Sequence, residues 1–203
     1  MTADKLPINW FDFVVVAVLV VGLLRGRKNG MSEELLPLIQ WLVIILGGAY
    51  CYDAFGRFLA QTMVVSLLFS YVVAYVVIAM GTKTIFTAFK RLLKGKLVGA
   101  GVFGKTEYYL GMLSGVARFA CMLVAVLALL NARLFSAMEV QAMQNFQKDV
   151  YGSEFFPTLH TLQQQVFEKS LAGPWIKGNL NPLLIRPTAP EKKQLRRKEL
   201  DFP

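Results

Sequence analysis

Apolar positions in this chain fall into four long blocks, not into the alternating or three-in-seven stripes of half-buried strands and helices. The blocks run from Trp10 to Leu24, from about Leu35 to Tyr52, from Met63 to about Met80 and from about Tyr108 to Leu130. Their lengths approach the roughly 20 residues that a helix needs to cross a bilayer core. The pattern therefore predicts an all-α membrane protein with four transmembrane helices. Valine-rich sequence such as that of the first block makes a poor helix in water. In lipid, the backbone has no partner but itself, and the helix forms regardless.

The polar connections refine the picture. A short basic turn, Arg25 to Gly30, follows the first block, and Ser32 then reads as an N-cap with Glu33 and Glu34 in the next first turn. Pro37 sits early enough in that second helix to be tolerated. Asp53 to Thr62 reads as a polar loop. In the longer connection from Gly81 to about Tyr109, Ile85, Phe86, Phe89, Leu92 and Leu93 recur at near-helical spacing among Lys83, Lys90, Arg91, Lys94 and Lys96. That predicts a basic interfacial helix before the last span, followed by a flexible turn at Gly95, Gly99, Gly101 and Gly104. Beyond Asn131 the patterning becomes that of a soluble tail. Amphipathic helices are expected over Ser136 to Val150 and Thr158 to Leu171, broken at Gly152 and Pro157, with an extended or disordered end from Gly173. The expected domains are a four-helix membrane domain (1–133), an amphipathic helical tail (134–172) and a C-terminus without fixed structure (173–203).

With 203 residues, 55% of them hydrophobic, the chain carries more apolar surface than one small soluble core buries. Its formal charge of +9 does not indicate nucleic acid, because the cations sit in the connections and the far tail. Lysine and arginine crowd the first and third connections, whereas only Lys5 and Arg57 occupy the leading segment and the second connection. By the positive-inside rule the first and third loops are cytoplasmic, and with four spans both termini lie outside. The cluster from Lys192 to Lys198 is too far from the last span to alter that orientation. The first block is expected to be a retained anchor, since no small-x-small cleavage site follows it and its basic residues come after it. Cys51 and Cys121 are expected to be buried, inert thiols.

Few residues invite a chemical role. Gly22, Gly26 and Gly30 recur every four positions, as do Gly111 and Gly115, and such faces let helix backbones approach closely; for the first set, loop flexibility is the alternative. Arg118 lies about ten residues into the last span, where a guanidinium is costly unless it is paired or reaches headgroups. Glu33 and Glu34 lie at the same depth in the expected topology. An Arg118–Glu34 pair and snorkelling of Arg118 to lipid phosphate are both open. Asp12, beside Asn9 and Trp10, is expected to cap the first helix rather than to relay protons. His160, the one histidine, lacks a catalytic neighbour at any diagnostic spacing and reads as a surface residue. No phosphate loop, paired carboxylates or zinc-ligand set occurs, so neither an enzyme nor a bound cofactor or metal is expected.

Asn9-Trp10-Phe11-Asp12 before the first span, Arg25-Gly26 with Gly30 and Glu34 after it, and Leu110 to Arg118 opening the last span together resemble the colicin V production protein family. The resemblance covers about residues 8 to 130. It implies a small, multi-pass bacterial inner-membrane protein associated with production or export of a peptide toxin and with envelope function. It also marks Asn9, Asp12, Arg25, Gly26, Gly30, Glu34, Gly111, Gly115 and Arg118 as positions of interest. Two functions follow as expectations. The first is an accessory protein that gathers in the bilayer as a homo-oligomer or on an exporter; the second is an oligomeric channel or transporter for a small solute.

Overall fold

In a computed structural model, which describes residues 8–63, 65–92, 104–152 and 158–188, every regular element is helical. The helices are α1 (Trp10–Met63), α2 (Leu67–Leu92), α3 (Glu107–Asn131), α4 (Ala137–Tyr151), α5 (Leu159–Phe167) and α6 (Ala172–Asn179). Short 3-10 turns lie at Gly104–Thr106 and Asn181–Leu183. Three helices, α1, α2 and α3, are long and apolar enough to cross a membrane.

The 54 residues of α1 would measure about 80 Å if straight, far more than a bilayer core. They are not straight. Gly30 has φ 74° and ψ 170°, a backbone state essentially reserved for glycine, and the helix breaks there into a leading arm (10–29) and a trailing arm (31–63). Contacts with α3 give the direction of each arm. Gly22 and Gly26 of the leading arm meet Gly115 and Gly111, so that arm runs antiparallel to α3. In the trailing arm Glu34 meets Arg118, while Tyr52 and Asn131 both bond the Ile185–Arg186 segment, so this arm runs parallel to α3. The two arms are thus antiparallel to each other, a hairpin closed by a single residue.

The second connection differs from expectation. Asp53 to Thr62 is helix rather than loop; within it the Arg57 guanidinium bonds Asp53 one turn away through Nε (2.9 Å) and Nη2 (2.8 Å), and Gly56 packs against Tyr71. The reversal to α2 falls instead after Met63. Tyr71 and Tyr75 of α2 lie on the glycine faces of Gly56 and Gly48, where a Cβ would collide with their rings. The separate basic interfacial helix is not found. Residues 81–92 continue α2 without interruption, while Leu93, Lys94, Gly95, Lys96, Gly99 and Gly101 lie outside the described residues. Ser32 caps nothing: the trailing arm begins at once after Gly30, and Ser32 lies inside it.

The tail forms a cap on one end of the bundle. Ser136 and Glu139 make a reciprocal capping box at the start of α4, and Gly152 ends it in the left-handed conformation at φ 65°. Thr158 caps α5. The chain from Gly173, expected to be extended, instead forms α6 and the 3-10 turn. Its fold is set by Ser170, whose hydroxyl donates to the Val166 carbonyl at 2.6 Å and accepts from Gly173 N at 2.9 Å. Val166, Phe167, Ile176, Leu184 and Ile185 join Phe11, Tyr52, Leu127 and Ala128 in one continuous apolar core. None of the described side chains of α4 is buried.

Candidate functional site

One polar cluster within the bundle lies at the Gly30 end. Asn29 is the last residue before the break, and Glu34 lies one turn beyond it, wholly buried. Each carboxylate oxygen of Glu34 has its own donor: Arg118 Nη1 at 2.6 Å to Oε2, and Asn29 Nδ2 at 2.6 Å to Oε1. The Arg118 side chain is 15% exposed and lies over the Phe119 ring, 5.5 Å from its centroid. This cluster ties the leading arm, the trailing arm and α3 together. A buried ion pair of this kind contributes little net stability while intact, yet losing one member costs about 3–5 kcal/mol.

Directly beside the pair is the glycine seam. A Cβ on Gly22 would lie 2.9 Å from the Gly115 carbonyl oxygen, and one on Gly111 would lie 2.5 Å from that of Gly26. The two backbones therefore touch, and these glycine faces are occupied by one another within a single chain. Gly30 closes the seam against Glu107, whose Cγ would stand 2.9 Å from an added Cβ. Arg25 is exposed and stands apart from both cluster and seam.

At the opposite end Asp12 bonds in two directions. Its Oδ2 accepts from Asn9 N at 2.9 Å, which closes the first turn of α1, and from Leu171 N at 3.1 Å. Its Oδ1 accepts from Ala172 N at 3.0 Å. One carboxylate thus serves the N-termini of both α1 and α6, where helix dipoles favour negative charge. Asn9 Nδ2 donates to the Gln165 carbonyl at 3.1 Å, and Trp10 Nε1 donates to Gln165 Oε1 at 2.7 Å. Asn131 Nδ2 donates to the Ile185 carbonyl at 3.0 Å, and Arg186 N donates to the Tyr52 hydroxyl at 3.2 Å.

Three features lie outside the sequence-derived candidates. Tyr71 donates to Asp53 Oδ1 at 2.7 Å, adding a third member to the Asp53–Arg57 pair; the i, i+4 spacing of Asp53 and Arg57 was the available signal. Gly48 and Gly56 seat aromatic rings, and nothing in their local sequence marks that role. A cleft of about 610 Å³ opens between the trailing arm, α2 and α3, with Trp41, Tyr75, Lys83, Arg118 and Leu129 in its lining. Cys51 is exposed, contrary to expectation, because it falls on the outer face of the trailing arm. His160 is half-buried with its ring edge against Phe135, at 5.4 Å between centroids. Among the described residues, no group of three or more His, Cys, Asp or Glu side chains converges as a metal site would.

A family model described as Colicin V production protein matches residues 11–163, well past the segment on which the resemblance rested and into α5. No curated protein and no solved structure matches the chain.

Proposed function

The chain belongs to the colicin V production protein family, and from that premise we propose that it is a non-catalytic accessory protein of the bacterial inner membrane. In this reading it serves the production or export of a peptide toxin, or envelope function more broadly, as a homo-oligomer or on an exporter. The observation that carries the proposal is the closed pairing of Glu34. An acid that worked in catalysis or ion passage would be open to water or substrate, and this carboxylate is wholly buried with Arg118 and Asn29 on its two oxygens. The charges at this depth hold the helices together.

A four-crossing topology fits the same geometry. The start of α1 is hydrogen-bonded to the tail through Asn9, Trp10 and Asp12, so both sit on one side of any membrane the bundle crosses. A chain whose ends share a side crosses an even number of times, and the two arms of α1 supply the fourth crossing. The leading arm, 10–29, is about 30 Å long, the thickness of a hydrocarbon core. With Arg25, Arg27 and Lys28 beside the Gly30 turn, that turn faces the cytoplasm and the cap faces outward.

The test joins topology to partner. A reporter active on only one side of the membrane, fused after Pro203, is expected to report an outward tail; an inward tail overturns the four-crossing reading. Photo-crosslinkers at Met138 and Phe146, exposed on α4, are expected to trap a second copy or an export component. Purified protein in liposomes is expected to conduct no solute. Flux that disappears with Arg118→Gln would replace the accessory role with a channel.

A further inference from the structure

The cleft between the trailing arm, α2 and α3 has a head and a tail. Tyr75 lies on Gly48, which fixes the register of α2 against the trailing arm. From that level Lys83 is eight residues nearer the Gly30 end, about 12 Å along the helix. Arg118, held level with Glu34, lies at that same end. Both cations line the cleft there, while Ile44, Tyr75, Met122 and Leu129 make its deeper walls apolar. The space is thus basic toward the membrane surface and hydrocarbon-like toward the midplane.

Its donors have capacity to spare. Among the described residues Arg118 gives only Nη1 to Glu34, and its side chain, 15% exposed, lines the cleft. Lys83 is exposed and has no ion-pair partner among them. A partly exposed guanidinium and an unpaired ammonium at the mouth of an apolar slot complement an anionic headgroup above a hydrocarbon chain. A helix from another protein would bring apolar side chains to both ends of the cleft and leave the two cations unanswered.

We propose that this cleft is a binding site for one anionic phospholipid, drawn from the leaflet that faces the Gly30 turn. Its phosphate lies at Lys83 and Arg118, and an acyl chain lies along Trp41 and Tyr75. The site does not depend on the accessory role, only on the protein standing in a bilayer.

Trp41, in the cleft lining, is a built-in reporter. The experiment uses full-length protein carrying Trp10→Phe and Trp175→Phe, which leaves Trp41 as its only tryptophan, reconstituted in phosphatidylcholine vesicles. Lipids brominated on their acyl chains quench indole fluorescence on contact. Brominated phosphatidylglycerol is expected to associate about fivefold more strongly than brominated phosphatidylcholine, the factor one lysine near a membrane surface supplies. Lys83→Gln, at an exposed position, should bring that ratio close to one while the helical circular dichroism stays unchanged. Equal quenching by the two lipids in the parent protein overturns the proposal, as does a preference that survives Lys83→Gln. Protection of Trp41 from both lipids overturns it as well, and would mean that protein fills the cleft.

Discussion

Glu34 is wholly buried, with Asn29 on one carboxylate oxygen and Arg118 on the other. Removing its charge while keeping its shape, as Glu34→Gln does, leaves a buried guanidinium unanswered. Arg118→Met does the converse. Each single change is expected to destabilise the bundle by about 3–5 kcal/mol. The double variant should lose less than the two losses added together, by about 0.5–3 kcal/mol of coupling. Detergent-driven unfolding followed by circular dichroism measures all three, and strictly additive losses would refute an energetic link between the residues. The pairing was accessible from sequence because depth in a bilayer is a coordinate: two charged residues at equal distance from the same face can be matched without knowing the fold. Asn29 was not accessible in this way, because its role depends on where the chain turns.

At the scale of elements, the four apolar blocks and the boundaries of α3 and α4 follow from hydropathy, capping residues and glycines. Two errors share one cause. Asp53 to Thr62 reads as a loop and the stretch after Gly81 as a connection with its own interfacial helix, whereas α1 and α2 run on through Thr62 and Leu92. Hydropathy marks where lipid ends, and a helix need not end there: the Asp53–Arg57 pair at i, i+4 lies within the first stretch, and no proline interrupts the second. The turn at Gly30 is the converse case, a reversal with no intervening loop. Its φ of 74° with ψ of 170° lies outside the left-handed helical region that asparagine tolerates. Gly30→Ala and Gly30→Asn are therefore both expected to cost about 1–3 kcal/mol, with no rescue by asparagine. At Gly152, φ 65° and ψ 3°, asparagine should be nearly neutral. Midpoints of detergent unfolding compare the two sites directly, and rescue of Gly30 by asparagine would show that the turn adopts another conformation.

For the molecule as a whole, the least foreseeable feature is the attachment of the tail. Periodicity within residues 134–188 cannot reveal that Phe11 and Ile185 share a core, because that contact joins the two ends of the sequence. The attachment depends on Asp12. Asp12→Asn keeps the shape but loses the charge, and it is expected to weaken the hold on α6 by about 1–2 kcal/mol. Amide hydrogen exchange at Leu171 and Ala172 should then quicken by roughly 5- to 30-fold, while amides within α3 keep their protection. Equal acceleration in both places would mean that cap and bundle unfold as one unit. The same attachment also sets a timetable. A ribosome makes Asp12 160 residues before Ala172, so at about 5–20 residues per second the carboxylate waits roughly ten to thirty seconds for its second helix. Every helix long and apolar enough to cross a membrane is made before the cap exists. The newborn chain therefore passes through an interval in which α1, α2 and α3 are complete and the end that Asp12 occupies is still open, and translation of the segment from Thr158 to Thr188 is what shuts it.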